Sequence, residues 1–291
     1  MTLATDLPFH KMHGLGNDFI VLDSRDNQVM PDEHQMRYLA DRHKGVGCDQ
    51  IMVIRSSDQA NTIRLDMFNA DGSPAGACGN GTRCVARLVM DQAGRDEIGI
   101  ETVAGHLKGW RSNAQSDVIS ADMGPVSLDW QDIPTSRALD TLTVDLGFPE
   151  LGAATLVSVG NPHAVFFVED AEAVNLHHWG PLAEQHALFP DRANIEFIQI
   201  LDRKTIRMRV WERGAGVTLA CGSGACAVAV ASACRGLTDN KVNLHLDGGA
   251  LQITWRRNTD GHVVMTGPAT YVAEGVISAS FFNVSANVGG A

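Results

Sequence analysis

Residues 63–81 and 206–224 spell one pattern twice. The first reads IRLDMFNADGSPAGACGNG and the second IRMRVWERGAGVTLACGSG, aligned without a gap at an offset of 143 residues. Upstream, Gly16-Asn17 and Gln50-Ile51 meet Gly160-Asn161 and Asn194-Ile195 at an offset of 144. Three blocks keeping nearly one offset, close to half of the 291 residues, imply two copies of one domain. The unit is too long for a solenoid repeat.

Local pattern gives each copy the same parts. Ile63, Leu65 and Met67 alternate with polar neighbours, as do Ile206, Met208 and Val210, which marks half-buried strands. Gln50–Ile54, Ile195–Ile200 and Leu251–Trp255 read similarly, and Gly248-Gly249 suits a hairpin turn. Helices are expected over Gly81–Gln92 and Gly224–Arg235, each stopped by a glycine, Gly94 or Gly236. Both are rich in Ala, Val and Leu and call for burial on most sides. The expected fold class is therefore α+β: two pseudo-symmetric halves, each a curved, mostly antiparallel sheet around one helix. Ser127 to Asp140, polar and carrying Pro134, reads as the linker.

A net charge of −11 gives no support to a nucleic-acid partner, and the 23 Lys and Arg form no basic block. A small zwitterionic or polar ligand suits this balance better. Met1–Pro8 does not read as a signal peptide. The longest near-apolar run, Ala225–Cys234, is too short to cross a bilayer. The expected compartment is the cytoplasm, without a membrane partner. There the six cysteines stay reduced, so each is a core residue, a metal ligand or a reactive thiol.

Spacing separates these roles. Cys84, Cys226 and Cys234 lie inside the expected helices and read as small buried hydrophobes, as does Cys48 in its Gly-Val-Gly-Cys loop. Cys78 and Cys221 head the helices in Ala-Cys-Gly-x-Gly. There the unpaired N–H groups and helix dipole favour thiolate and lower a thiol pKa. The glycines at 79, 81, 222 and 224 leave backbone N–H groups open to an anion such as a carboxylate. A single nucleophilic cysteine gives no reason for the second copy. Two thiols facing one carbon do: one removes a proton and the other returns it from the opposite side, inverting the centre.

Rival readings are weaker. Gly222, Gly224 and Ala227 satisfy G-x-G-x-x-A, but ten residues part Gly222 from Trp211, where a dinucleotide fold needs a tight turn after a strand. No C-x2-C pair recommends zinc, so no metal is expected. A catalytic Cys–His pair with His163 leaves the duplication unexplained, and His163 is kept as a supporting residue. A non-enzymatic small-anion-binding module stands as an alternative.

Six motifs carry a family resemblance across residues 9 to 275: Lys11-Met-His-Gly-Leu-Gly-Asn-Asp-Phe19, Phe68-Asn-Ala-Asp-Gly72, Ala77-Cys-Gly-Asn-Gly81, Gly160-Asn-Pro-His163, Trp211-Glu-Arg-Gly214 and Ala220-Cys-Gly-Ser-Gly-Ala-Cys226. The sequence closely resembles the diaminopimelate epimerases, cofactor-independent enzymes of lysine and peptidoglycan-precursor synthesis. Proline racemase and hydroxyproline epimerase are similar in their paired cysteines, but the Asn-rich set fits the diaminopimelate branch better.

The resemblance implies interconversion of LL- and meso-2,6-diaminopimelate by Cys78 and Cys221 without cofactor, and commonly a homodimer. It implies a barrel-like sheet around a central helix in each half. Residues 1–127 would form one half and 128–277 the other, with a strand at about 278–291 returning to the first. It assigns Asn17, Asn69, Asn161, Asn194, Glu212 and Arg213 to the distal end of the substrate, with Gln50 as a further lining residue. The N–H groups of Gly79, Asn80, Gly222 and Ser223 would hold the carboxylate beside the reacting carbon. Chemistry agrees, because Arg213 can fork onto a carboxylate and Glu212 can take an ammonium. Cys48, the weakly charged Ser73–Gly76 stretch and the tail after Ile277 depart from the family pattern.

Overall fold

The computed structural model describes residues 5–26, 30–76, 78–103, 105–112 and 117–282. Its elements begin with β1 (Leu7–Gly14), β2 (Asn17–Asp23), α1 (Glu33–Ala40), β3 (Gln50–Ser56), β4 (Thr62–Asn69), α2 (Gly79–Ala93), β5 (Glu97–Thr102), β6 (Gly105–Arg111) and β7 (Val118–Pro125). Then come β8 (Ala154–Ser158), β9 (Pro162–Phe167), α3 (Leu176–Glu184), β10 (Asn194–Asp202), β11 (Thr205–Glu212) and β12 (Gly216–Val217). The chain closes with α4 (Gly222–Cys234), β13 (Lys241–Leu246), β14 (Gly249–Trp255), β15 (His262–Pro268) and β16 (Thr270–Ile277).

These form two compact units, residues 1–119 with 268–291 and residues 120–267. Strand order is β16-β1-β2-β3-β4-β5-β6 in the first and β7-β15-β14-β13-β11-β10-β9-β8 in the second, with β12 beside β11. The duplication is visible in register. β2 and β3 run parallel with Phe19 opposite Gln50; β9 and β10 run parallel with His163 opposite Asn194. β4·β5 and β11·β13 are parallel as well. The pairs β1·β2, β3·β4, β5·β6, β8·β9, β10·β11, β13·β14 and β14·β15 are antiparallel. The architecture is α+β, with two repeated, mostly antiparallel halves.

Each sheet wraps one helix. α2 packs on β1, β2, β3, β5 and β6, and α4 on β8, β9, β10, β13 and β14. Alternation explains how. Phe19 and Val21 join Met52 and Leu65 beneath α2, while Ile20 and Leu22 turn to the other face, against Met36 and Leu39 of α1. Each such aliphatic side chain, fully buried, contributes about 1.5–3 kcal/mol. α4 is buried from Gly224 to Ala233, as its uniformly apolar sequence requires.

Several boundaries differ from expectation. Both helices start two residues earlier, at the glycine after each cysteine, because Cys78 and Cys221 are themselves the N-caps. Gly94 and Gly236 do take the left-handed conformation at the helix ends, at φ 60° and 70°. The β13–β14 turn is Asp247-Gly248, one residue earlier than read, since Leu246 pairs with Gly249.

The division falls at 119/120 and 267/268, not at 127/128 and 277/278. The expected linker is an ordered part of the second unit: Ser127 exchanges both backbone bonds with Ser158, and Thr141 Oγ1 donates to the Leu128 carbonyl. The returning strand is β16, paired with β1 from Leu7↔Ile277 to His13↔Thr270. It precedes the 278–291 segment read as strand; of that segment Ser278–Phe282 are described and 283–291 lie outside the described residues. Among the described residues no helix is long and apolar enough to cross a membrane.

Candidate functional site

In the first unit a tight turn sets up the site. Leu15 and Gly16 both have positive φ, 58° and 85°, and close the β1–β2 hairpin so that Asn17 opens β2. Cys78 caps α2 in an extended conformation, and its Sγ accepts from Gly81 N at 3.4 Å. Asn17 Oδ1 stands 3.7 Å from that sulfur and accepts from Asn80 Nδ2 at 3.3 Å. The far side of Asn17 is held too, its Nδ2 donating to Asp49 Oδ2 at 3.0 Å. Asp18 anchors this corner through Lys11 Nζ at 2.6 Å and Arg42 Nη2 at 2.7 Å. Burial would raise the Asp18 carboxyl, but Arg42 and Lys11 outweigh it and hold the group at about 2. Gln50 and Asn69 form a second pair across β3 and β4, Nε2 to Oδ1 at 3.2 Å. Ala77, in the Ala-Cys-Gly-Asn-Gly motif, lies outside the described residues.

The second unit repeats this with different partners. Cys221 caps α4 and accepts from Gly224 N at 3.4 Å, with Ser223 Oγ at 3.6 Å. Asn161, the counterpart of Asn17, donates to Ser223 Oγ at 3.4 Å and meets His163 Nε2 at 2.9 Å. Asn194 donates to the Pro162 carbonyl and accepts the Arg213 N–H at 3.0 Å. Glu212 hydrogen-bonds Thr218 Oγ1 and Cys221. The exposed Arg213 side chain reaches the Asp191 carbonyl at 3.2 Å.

The expectation of a lowered thiol pKa at both helix heads fails at Cys221. Burial pushes that thiol well up, and the nearby carboxylates of Glu212 and Glu196 push further, outweighing the Gly224 N–H. Burial likewise raises the Glu212 carboxyl. Cys48 and Cys84 are buried and pushed up by that burial to about 12, in keeping with core roles. Cys226 is buried, and Cys234 partly so.

Cys78, Asn17 and Asn80 thus share the head of α2, beside the Gln50–Asn69 pair. Cys221, Ser223, Asn161, His163 and Glu212 share the head of α4, beside Asn194 and Arg213. The family model described as diaminopimelate epimerase matches residues 9–128 and 155–272, which include both heads. The chain belongs to the diaminopimelate epimerase family. It is accordingly an isomerase.

Curated members of the family align over nearly the whole chain. A diaminopimelate epimerase of Rhodospirillum centenum is 53% identical over 271 residues, 93% of this chain and 92% of its own. One of Phenylobacterium zucineum is 46% identical over 279 residues, 94% of this chain and 99% of its own. Among solved structures, a probable proline racemase from Agrobacterium radiobacter K84 superposes with a TM-score of 0.67 at 13% identity, covering 92% of each chain. A hydroxyproline epimerase from Agrobacterium vitis gives 0.67 at 12% identity, over 96% of this chain and 92% of its own. These two share the fold.

Sequence reasoning missed three groups. Arg83 is fully buried in the second turn of α2 and donates to Asn80 Oδ1 at 3.0 Å. The Lys11–Asp18–Arg42–Asp49 cluster holds Asn17 from behind. Glu196 is fully buried beneath α4. The duplication held a signal for the last, because the 144-residue offset sets Glu196 opposite Met52, a charged residue in an apolar slot.

Proposed function

We propose that the chain interconverts LL- and meso-2,6-diaminopimelate by a two-base mechanism in which Cys78 and Cys221 act on one α-carbon. The supporting observation is the matched pair of capping thiols. Each sulfur accepts the N–H three residues on at 3.4 Å, in a chain of this family. One sulfur, as thiolate, takes the α-proton; the other, as thiol, gives a proton to the opposite face. Each inversion leaves the first sulfur protonated and the second deprotonated, ready for the reverse reaction. Burial and the carboxylates beside Cys221 raise that thiol. Which sulfur abstracts the proton follows from the configuration of the isomer bound, one acting on the LL form and the other on the meso form.

An α-proton is weakly acidic, so the carbanion must be met by fixed donors in a site closed to water. The N–H groups of Gly79, Asn80, Gly222 and Ser223 point from the helix starts, where a carboxylate is favoured by the dipole. Asn17, Asn69, Asn161, Asn194, Glu212 and Arg213 take the distal amino-acid end, with Gln50 alongside and His163 in support. Glu212 supplies the acceptor for the ammonium and Arg213 the fork for the carboxylate. The enzyme works in the cytoplasm, a reading supported by six free cysteines. It works as a homodimer, for which the edge strand β16, with exposed Val272 and Val276, offers a surface.

Incubation with LL-diaminopimelate in deuterated water, followed by proton NMR, tests the reaction. Deuterium is expected at one α-carbon as the meso isomer forms. Cys78→Ala and Cys221→Ala should each abolish epimerisation; near-normal turnover by either would exclude the two-base scheme.

A further inference from the structure

The two units place different chemistry at one duplicated position. In the first, Phe19 and Met52 pack in the apolar core beneath α2, with the Met52 methyl against Gly81. Their counterparts at the 144-residue offset are His163 and Glu196, in the same parallel register beneath α4. Both side chains are wholly buried, with His163 Nδ1 2.6 Å from Glu196 Oε1. The carboxylate lies under the first turn of α4, where a Cβ on Gly224 would stand 2.7 Å from Oε1.

A buried carboxylate in an otherwise apolar strand face is costly unless paired. The first unit shows that the fold does not need it: an apolar pair fills the same place. What the polar pair adds is orientation. A carboxylate only accepts, so the hydrogen on Nδ1 belongs to Glu196, and this fixes the imidazole plane. Asn161 Oδ1 likewise only accepts, so its contact at 2.9 Å places a hydrogen on Nε2 as well, making the ring an imidazolium paired with Glu196. The Nδ2 end of the same amide reaches Ser223 Oγ at 3.4 Å, beside Cys221. Asn17 in the first unit is held differently, from the surface, by Asp49.

We propose that Glu196 is a positioning residue: by holding His163 at Nδ1 it sets the Asn161 amide against Ser223 at the Cys221 helix head. The proposal rests on the reading of Asn161 as a substrate contact in the reaction above. Partners of this kind behind a ligand-holding histidine are worth about 10–100-fold in metal sites, and a similar scale is expected here.

The test compares Glu196→Gln, which keeps an acceptor of the same shape, with Glu196→Met, which installs the residue of the first unit. Glu196→Met should lower kcat/KM about 10–100-fold, with much of the change in KM, and Glu196→Gln should recover most of it. A second readout needs no turnover. In protein labelled with nitrogen-15 at histidine, the short carboxylate contact predicts a far-downfield Nδ1–H proton signal for His163. That signal should move in Glu196→Gln and vanish in Glu196→Met.

Wild-type kinetics in Glu196→Met, or a His163 signal unchanged in Glu196→Gln, would overturn the proposal. Should Glu196→Met fail to fold, the double variant His163→Phe/Glu196→Met, which rebuilds the first unit's pair, replaces it and should fold with the same loss. Absence of epimerisation in the wild type would count against the proposed reaction while leaving the NMR result standing.

Discussion

Six cysteines in one chain occupy environments different enough to be told apart chemically. Cys78 is partly exposed, whereas Cys221 is 4% exposed and its thiol is pushed up by burial and two carboxylates. Brief iodoacetamide treatment near neutral pH, mapped by mass spectrometry, should therefore label Cys78 well before Cys221, with Cys48 and Cys84 last. Preferential labelling of Cys221 would contradict the electrostatics described for its site. Asp18 gives a pH prediction. Its folded pKa of about 2 lies below the ordinary 3.8, so its ion pairs contribute stability above pH 4 that is lost as pH falls through 4 towards 2. With Arg42 half exposed to screening water, the contribution is about 1–2 kcal/mol. Asp18→Asn should lose that much in urea unfolding at pH 7 and match the wild type near pH 2.

At the scale of elements, the glycines mark where helices and strands come closest. Gly180 of α3 lies against the Trp211 ring, and a Cβ there would stand 2.4 Å from Cδ2. The ring has little room to yield, since its Nε1 donates to Glu184 Oε2 at 2.7 Å. Gly180→Ala should cost about 1–3 kcal/mol in thermal or urea unfolding by overpacking. Because Trp211 directly precedes Glu212, the last residue of β11, and Arg213, the same change should raise KM for diaminopimelate.

Such contacts mark what a sequence pattern conveys and what it hides. The strands around Ile63 and Ile206 and the glycine-stopped helices were legible because alternation and apolar runs are local signals. The helix starts were less so, since Cys78 and Cys221 act as caps, a role that ordinarily falls to Ser, Thr, Asp or Asn. The Lys11–Asp18–Arg42–Asp49 cluster was hidden because its members are brought together by the β1–β2 turn and the loop before β3. The opposing effects on Cys221 were hidden for a similar reason. A helix dipole can be inferred from the sequence, but burial and the approach of Glu196 from a neighbouring strand cannot.

On the scale of the whole molecule, the duplication is not a simple tandem. The first unit is completed by β16, drawn from the far end of the chain, whereas the second is one continuous stretch, 120–267. β16 covers the edge of β1 along its length, and Arg83 and Arg87 of α2 donate to the Pro268 and Ala269 carbonyls that lead into it. Ending the chain at Gly267 would expose the β1 edge and leave two guanidinium groups short of acceptors, one of them wholly buried. The second unit keeps all its strands but the last residue of β15, with α4 and the His163–Glu196 pair intact. The aromatic residues separate the two responses. Four of the five tryptophans, Trp130, Trp179, Trp211 and Trp255, lie in the second unit, and both tyrosines in the first. The truncated chain should keep a cooperative transition in tryptophan fluorescence while far-UV circular dichroism gains an earlier one, from the first unit. A single transition, seen alike by both probes and unshifted from the full chain, would mean that β16 contributes little to the first unit. Epimerisation should be lost in the truncated chain wherever the first unit melts below the assay temperature, because Cys78 is held by α2, whose packing on β1 depends on the strand removed.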